Sequence, residues 1–177
     1  MLNLKRSVRQ LGSADGTEIA EAALVLPLVF MLLLGIVWFG RAFNIYSTIQ
    51  QAAQQGAIKA ARATCVTCTP GNDFPIDSEV HNAVYAVMRS SNLDPNQIMD
   101  SAKPGLLPCP SPPGGGCTGG AKVWVCRTVQ LNPGTTQPLQ CGSVVSFQYP
   151  FQFYLPFTSL NQRQIVLSAQ AQSRMEN

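Results

Sequence analysis

Charge is scarce in this chain. Lys, Arg, Asp and Glu together make up 12% of its 177 residues, about half the usual share of a soluble protein. With a net charge of +3 and no basic cluster beyond Arg9, the electrostatic footprint of a nucleic-acid binder is missing. Histidine is scarcer still, with His81 standing alone. A zinc site around Cys65-Val-Thr-Cys68 would need a second close pair or further histidines, and the chain supplies neither. No Ser/His/Asp set, carboxylate pair or metal constellation is visible, so the expectation is a non-enzymatic protein with no cofactor and no metal. Cysteine is absent from the first 64 residues and then occurs six times, at Cys65, Cys68, Cys109, Cys117, Cys126 and Cys141. An even count confined to one part of the chain fits disulfides made in an oxidising compartment. Six cysteines allow 15 connectivities; local pairing favours Cys65 with Cys68, Cys109 with Cys117, and Cys126 with Cys141.

The most telling absence is local. Between Glu21 and Arg41 there is no charged residue at all. The run from 22 to 40, AALVLPLVFMLLLGIVWFG, is about the length a bilayer requires, and in lipid it must be helical to satisfy its backbone. Lys5, Arg6 and Arg9 precede it and favour a cytoplasmic N-terminus. A cleaved secretory signal would have a shorter apolar region, about 7–15 residues, and a small-residue cleavage site. This run is longer and ends in Trp38-Phe39-Gly40-Arg41, so a retained membrane helix is expected. Pro27 removes one backbone hydrogen bond within it and should bend the helix.

Beyond the apolar run the pattern becomes amphipathic. Phe43, Ile45, Ile49, Ala52, Ala53, Gly56, Ala57 and Ala60 recur at spacings of three and four, one stripe of a helix extending to residue 63. The small residues in it permit close packing. After a loop, Asp77 is placed as the cap of a second helix, with Val80, Ala83, Val84, Val87 and Met88 on one face. His81 falls on the opposite face as solvated surface. The stretch from 108 to 120, PCPSPPGGGCTGG, reads as a loop; it lacks the flanking strand, helix and lysine of a phosphate cradle. Period-two alternation then marks strands over 123–128, 145–153 and 165–172. Pro150, inside the second, calls for a bulge or an edge. The aromatic row from Tyr149 to Phe157 reads as core more readily than as an adhesive patch. The expected fold is α+β: a long N-terminal transmembrane and amphipathic helix packed with a second helix on a three-stranded antiparallel sheet. Its divisions are 1–16, a basic leader; 17–63, a spine helix; and 64–177, a disulfide-containing domain.

The stretches Gly16-Thr-Glu-Ile-Ala-Glu21, Ala23-Leu-Val-Leu-Pro-Leu28, Phe39-Gly-Arg-Ala-Phe43 and Ala52-Ala-Gln-Gln-Gly-Ala57 together resemble the TadE-like segment of tight-adherence (Tad or Flp) pilus pseudopilins. The resemblance covers about a quarter of the chain. It implies cleavage between Gly16 and Thr17 by a prepilin peptidase, with Glu21 serving assembly beside a neighbouring subunit. Implied partners are that peptidase, other Tad pseudopilins and pilin subunits, the inner-membrane assembly platform and membrane lipid. The implied location is the bacterial inner membrane, N-terminus cytoplasmic and C-terminal domain periplasmic. The alternatives are an uncleaved type II anchored adhesin or partner-binding module, and a pilin or pseudopilin of another type IV-like system.

Overall fold

The computed structural model describes residues 15–62, 74–110, 115–134, 138–152 and 164–175. Two compact units divide the chain, residues 1–41 and 42–177. Helix α1, Asp15–Ala61, runs through the boundary, with Pro27 inside it. In the first unit this helix is apolar all round: Leu24, Leu26, Phe30, Met31, Ile36 and Phe39 are each more than 60% exposed. A helix with no polar face has no stable place in water, and its natural solvent is lipid.

In the second unit the same helix acquires a face. Ile49, Ala52, Ala53, Ala57 and Ala60 are fully buried while Gln51, Gln54, Gln55 and Lys59 are exposed, as the spacing of small residues implied. Gly56 shows why they are small. A Cβ added there would lie 2.7 Å from Val84 Cγ2 and 3.3 Å from Val145 Cγ1. Helix α2, Asp77–Ser90, buries Val80, Val84 and Met88, one stripe at i, i+4 and i+8. Each such side chain contributes about 1.5–3 kcal/mol on leaving water. Leu93 Nα donates to Met88 O at 2.9 Å after Asn92 turns the chain at φ 57°, which ends the helix.

Both helical stripes pack on one face of an antiparallel sheet. Its strands are β1 (Gly116–Thr118), β2 (Val123–Gln130), β3 (Cys141–Gln152) and β4 (Gln164–Arg174), in spatial order β1-β2-β3-β4. Val123, Val125, Val145, Phe147, Tyr149 and Ala169 bring the sheet's share of that core. Tyr149 and Phe151 are buried too, so the described part of the aromatic row is core; residues 153–157 lie outside the described residues. The opposite face carries a smaller cluster, Cys117, Cys126, Val129 and Val144, packed with Leu106, Trp124 and Leu131. Trp124 Nε1 donates to Ser101 O at 2.9 Å, which seats the connecting segment over this face.

The sheet has four strands, where the sequence reading had three. The additional strand, β1, lies inside the glycine- and proline-rich stretch read as loop. It has three residues, too few for a period to show, and it pairs Cys117 opposite Cys126. Next to it, residues 107–109 already line the same edge of β2: Gln130 Nα donates to Leu107 O, and Cys109 Nα to Thr128 O, both at 2.8 Å. The register between β2 and β3 shifts between Cys126 and Val129, and Thr128 sits at φ 53°. Positive φ is rare for a β-branched residue and marks a bulge. Gly115 is required beside it, since a Cβ there would lie 2.2 Å from Thr128 O.

Pro150 is accommodated as an edge. It pairs with Val166 of β4 on one side, but β2 ends opposite Phe147. Gln148 O accepts from Met99 Nα at 3.0 Å on the side away from β4. Backbone groups alternate along a strand, so the missing N–H of Pro150 faces that same side, past the end of β2, and no ladder bond is lost.

Candidate functional site

The residues that carry the chemistry implied by the sequence lie at the start of α1. Helix α1 is described from Asp15 onward and contains the Gly16–Thr17 bond. Glu18 and Glu21 follow within the same helix, both exposed. One turn separates Glu21 from the large apolar residues, which continue to Phe39. The helix holds an 18-residue window of mean hydropathy 2.7, none of it buried, which makes it long and apolar enough to cross a membrane. Trp38 and Arg41 close the run: the Arg41 guanidinium carbon lies 5.6 Å from the Trp38 ring centroid. Indole and guanidinium suit a membrane–water boundary, where ring and cation attract each other and both reach water.

Residues 16–57 match the family model described as TadE-like protein. This part of the chain is similar to the TadE-like family. No curated protein and no solved structure matches the chain. The TadE-like segment ends at Ala57, so it covers the entire apolar stretch of α1 and continues through Ile49, Ala52, Ala53 and Gly56, the residues that enter the core of the second unit. The matched residues therefore comprise a membrane-competent helix and the hydrophobic stripe on which a folded domain is built.

Among the described residues two disulfides staple that domain, and neither is one of the pairings expected from the sequence. Cys109 bonds Cys141, 32 residues apart, and Cys117 bonds Cys126, 9 apart. Cys109 with Cys117 and Cys126 with Cys141 are thereby corrected. The reason is the sheet: β1 pairs antiparallel with β2, which sets Cys117 directly opposite Cys126. Cys109 is then left beside the β2 bulge, in reach of the first residue of β3. Cys65 and Cys68 lie outside the described residues.

Two further readings change. Asp77 is not the cap of α2 but its first residue; Ile76 is the N-cap and makes no side-chain cap bond. The Asp77 carboxylate instead takes the Arg127 guanidinium from β2. Arg127 Nη2 also donates to Pro75 O at 2.6 Å. Burial pushes the Asp77 carboxyl up, but hydrogen bonds from Arg127 and Thr118, with the Arg127 charge, outweigh it and hold it below its ordinary value. His81 is not solvated surface: its Nε2 is buried without a hydrogen-bond partner, against Gly119. Nothing in the local sequence around His81 announces this, because Gly119 reaches it only through the β1–β2 hairpin.

Proposed function

We propose that this chain is a minor pseudopilin of a Tad/Flp-type pilus, a non-enzymatic precursor that takes part in assembling or priming the filament. The observation that carries the reading is the coincidence of the TadE-like match with a helix that is apolar and exposed in its first part and buried in its second. In this reading α1 sits in the bacterial inner membrane, N-terminus cytoplasmic, with the disulfide-containing domain in the periplasm. A prepilin peptidase cuts after Gly16, whose lack of a side chain leaves a narrow protease site unobstructed. Residues 1–16 are then the basic leader that keeps this bond at the cytoplasmic face.

Cleavage places an α-ammonium on Thr17, four residues from Glu21. A charged carboxylate in lipid costs on the order of 3 kcal/mol, and the ammonium of a neighbouring subunit offsets that cost. Pairing of this kind sets an axial stagger between side-by-side helices. The folded unit of residues 42–177 makes up most of the chain, which suits a low-copy accessory or tip position over the filament shaft. The partners are the peptidase, other Tad pseudopilins and pilin subunits, and the inner-membrane assembly platform.

Deletion of the chain with complementation tests the role. Surface filaments should be lost on deletion and restored by the wild-type chain. Filaments unchanged in number and length after deletion would contradict it.

A further inference from the structure

The two edges of the sheet are built differently. On the β1 side, the edge of β2 is covered first by residues 107–109 and then by a strand of only three residues, Gly116–Thr118. Pro108 lies in that cover, and both described disulfides anchor it. Short strands, prolines and interruptions are the devices by which proteins keep an edge from pairing with another chain.

The β4 edge has none of them. Among the described residues β4 pairs only with β3, in unbroken register from Gln152↔Gln164 to Gly142↔Arg174. From 164 to 173 it reads QIVLSAQAQS, without a charge or a proline. Met175 Nα donates to Cys141 O at 3.4 Å, which turns the odd-numbered residues of this strand toward β3. The backbone groups of Val166, Ser168, Gln170 and Gln172 therefore point outward. Ser168 O confirms the phase, for it accepts Gln50 Nε2 from α1 at 3.3 Å, a side-chain amide standing where a strand's N–H would.

We infer that the outer edge of β4 is a docking edge for an extended, uncharged segment of a partner polypeptide, which adds to the sheet as a further strand. Its chemistry follows from the two faces. On the helix-covered face Leu167 and Ala171 are only partly buried at the margin of the core, and Ile165 is 44% exposed. Apolar residues of an incoming strand would extend that core. On the other face stand Val166, Ser168, Gln170 and Gln172, all without charge. The segment that fits alternates apolar with uncharged polar residues, its backbone supplying affinity and its alternate side chains selectivity. A charged residue on the core side would be desolvated beside Ile165, Leu167, Ala169 and Ala171, which carry no counter-charge.

The full chain in lipid nanodiscs, titrated into a fluorescein-labelled peptide of sequence SVVSFQY, tests this. The peptide copies residues 143–149 of β3 and has the required alternation. A saturable rise in anisotropy is expected, beyond that given by empty nanodiscs. Gln170→Pro removes an outward N–H and leaves the β3–β4 ladder untouched, so binding should weaken about tenfold. A peptide N-methylated at alternate residues, on the amides facing β4, should lose binding to the wild-type chain while keeping every side chain. Absence of saturable binding would overturn the proposal, as would binding unaffected by both changes. Wild-type self-association that Gln170→Pro abolishes, with no peptide binding, would assign the edge to a second copy and overturn it equally.

Discussion

Arg127 closes on Asp77 and on the Pro75 carbonyl together, so one guanidinium from β2 holds both the entry to α2 and its first residue. Both side chains are largely shielded, at 19% and 29% exposure. The pair joins the helical layer to the sheet next to the β1–β2 hairpin, and Asp77 also suits the positive end of the helix. Lys59 and Glu79 link α1 to α2 at 3.6 Å, but in the open, where such pairs contribute little.

Because the folded Asp77 carboxyl titrates below its ordinary value of 3.8, it stabilises the domain at every pH above that value. The contribution is lost as the pH falls through the lower, folded value. Arg127→Met should destabilise the domain by about 1–3 kcal/mol at neutral pH. The gap between variant and wild type should shrink in acid. Urea melts at neutral pH and near pH 3 measure both.

Tyr149 behaves oppositely. Burial pushes its hydroxyl above the ordinary 10, and the O–H lies 3.1 Å from Gln97 Oε1. A raised tyrosine contributes stability that is complete below pH 10 and lost as the pH rises through the folded value. Tyr149→Phe should therefore flatten the alkaline limb of the stability profile, read by thermal melts between pH 8 and 11.

Gly56 has no room for a side chain between Val84 and Val145. Gly56→Leu should overpack the interface by about 1–3 kcal/mol or more. Gly40→Ala, with nothing within 4 Å, should leave the domain's melting temperature unchanged. Equal melting temperatures for the two variants would contradict the packing described.

The disulfides are tested by non-reducing peptide mapping, which should recover Cys109 linked to Cys141 and Cys117 linked to Cys126. On loop-closure grounds the first contributes about 3.7 kcal/mol and the second about 2.6. Replacing Cys109 and Cys141 by Ser should thus cost more than replacing Cys117 and Cys126.

Glu21→Ala should leave the N-terminal processing intact and abolish incorporation into filaments. Immunoblots of membrane and sheared-filament fractions separate the two steps, and normal amounts in the filament fraction would contradict the assembly role.

What could be read from the chain alone was whatever has a period. The stripe at Ile49, Ala52, Ala53, Ala57 and Ala60, the Val80–Val84–Met88 face and the alternation through Val145, Phe147 and Tyr149 all announce burial, because helices and strands repeat their geometry. The TadE-like stretch was legible for the same reason, as a long uninterrupted apolar helix with an acid near its start. The misses are all non-local. Cys109 meets Cys141 because both lie beside the end of β2, Cys109 hydrogen-bonded to Thr128 O and Cys141 paired with Gln130. Strand β1 exists only as a partner of β2. Asp77 resembles a cap until Arg127, fifty residues later, claims its carboxylate, and His81 resembles surface until Gly119 covers it.

The central claim is that this chain is a processed pilin-type precursor. N-terminal sequencing of the protein recovered from membranes, in cells with and without the prepilin peptidase, tests it most directly. The account predicts a terminus at Thr17 when the peptidase is present and an intact leader when it is absent. An intact leader in both strains would contradict it and leave an anchored periplasmic module.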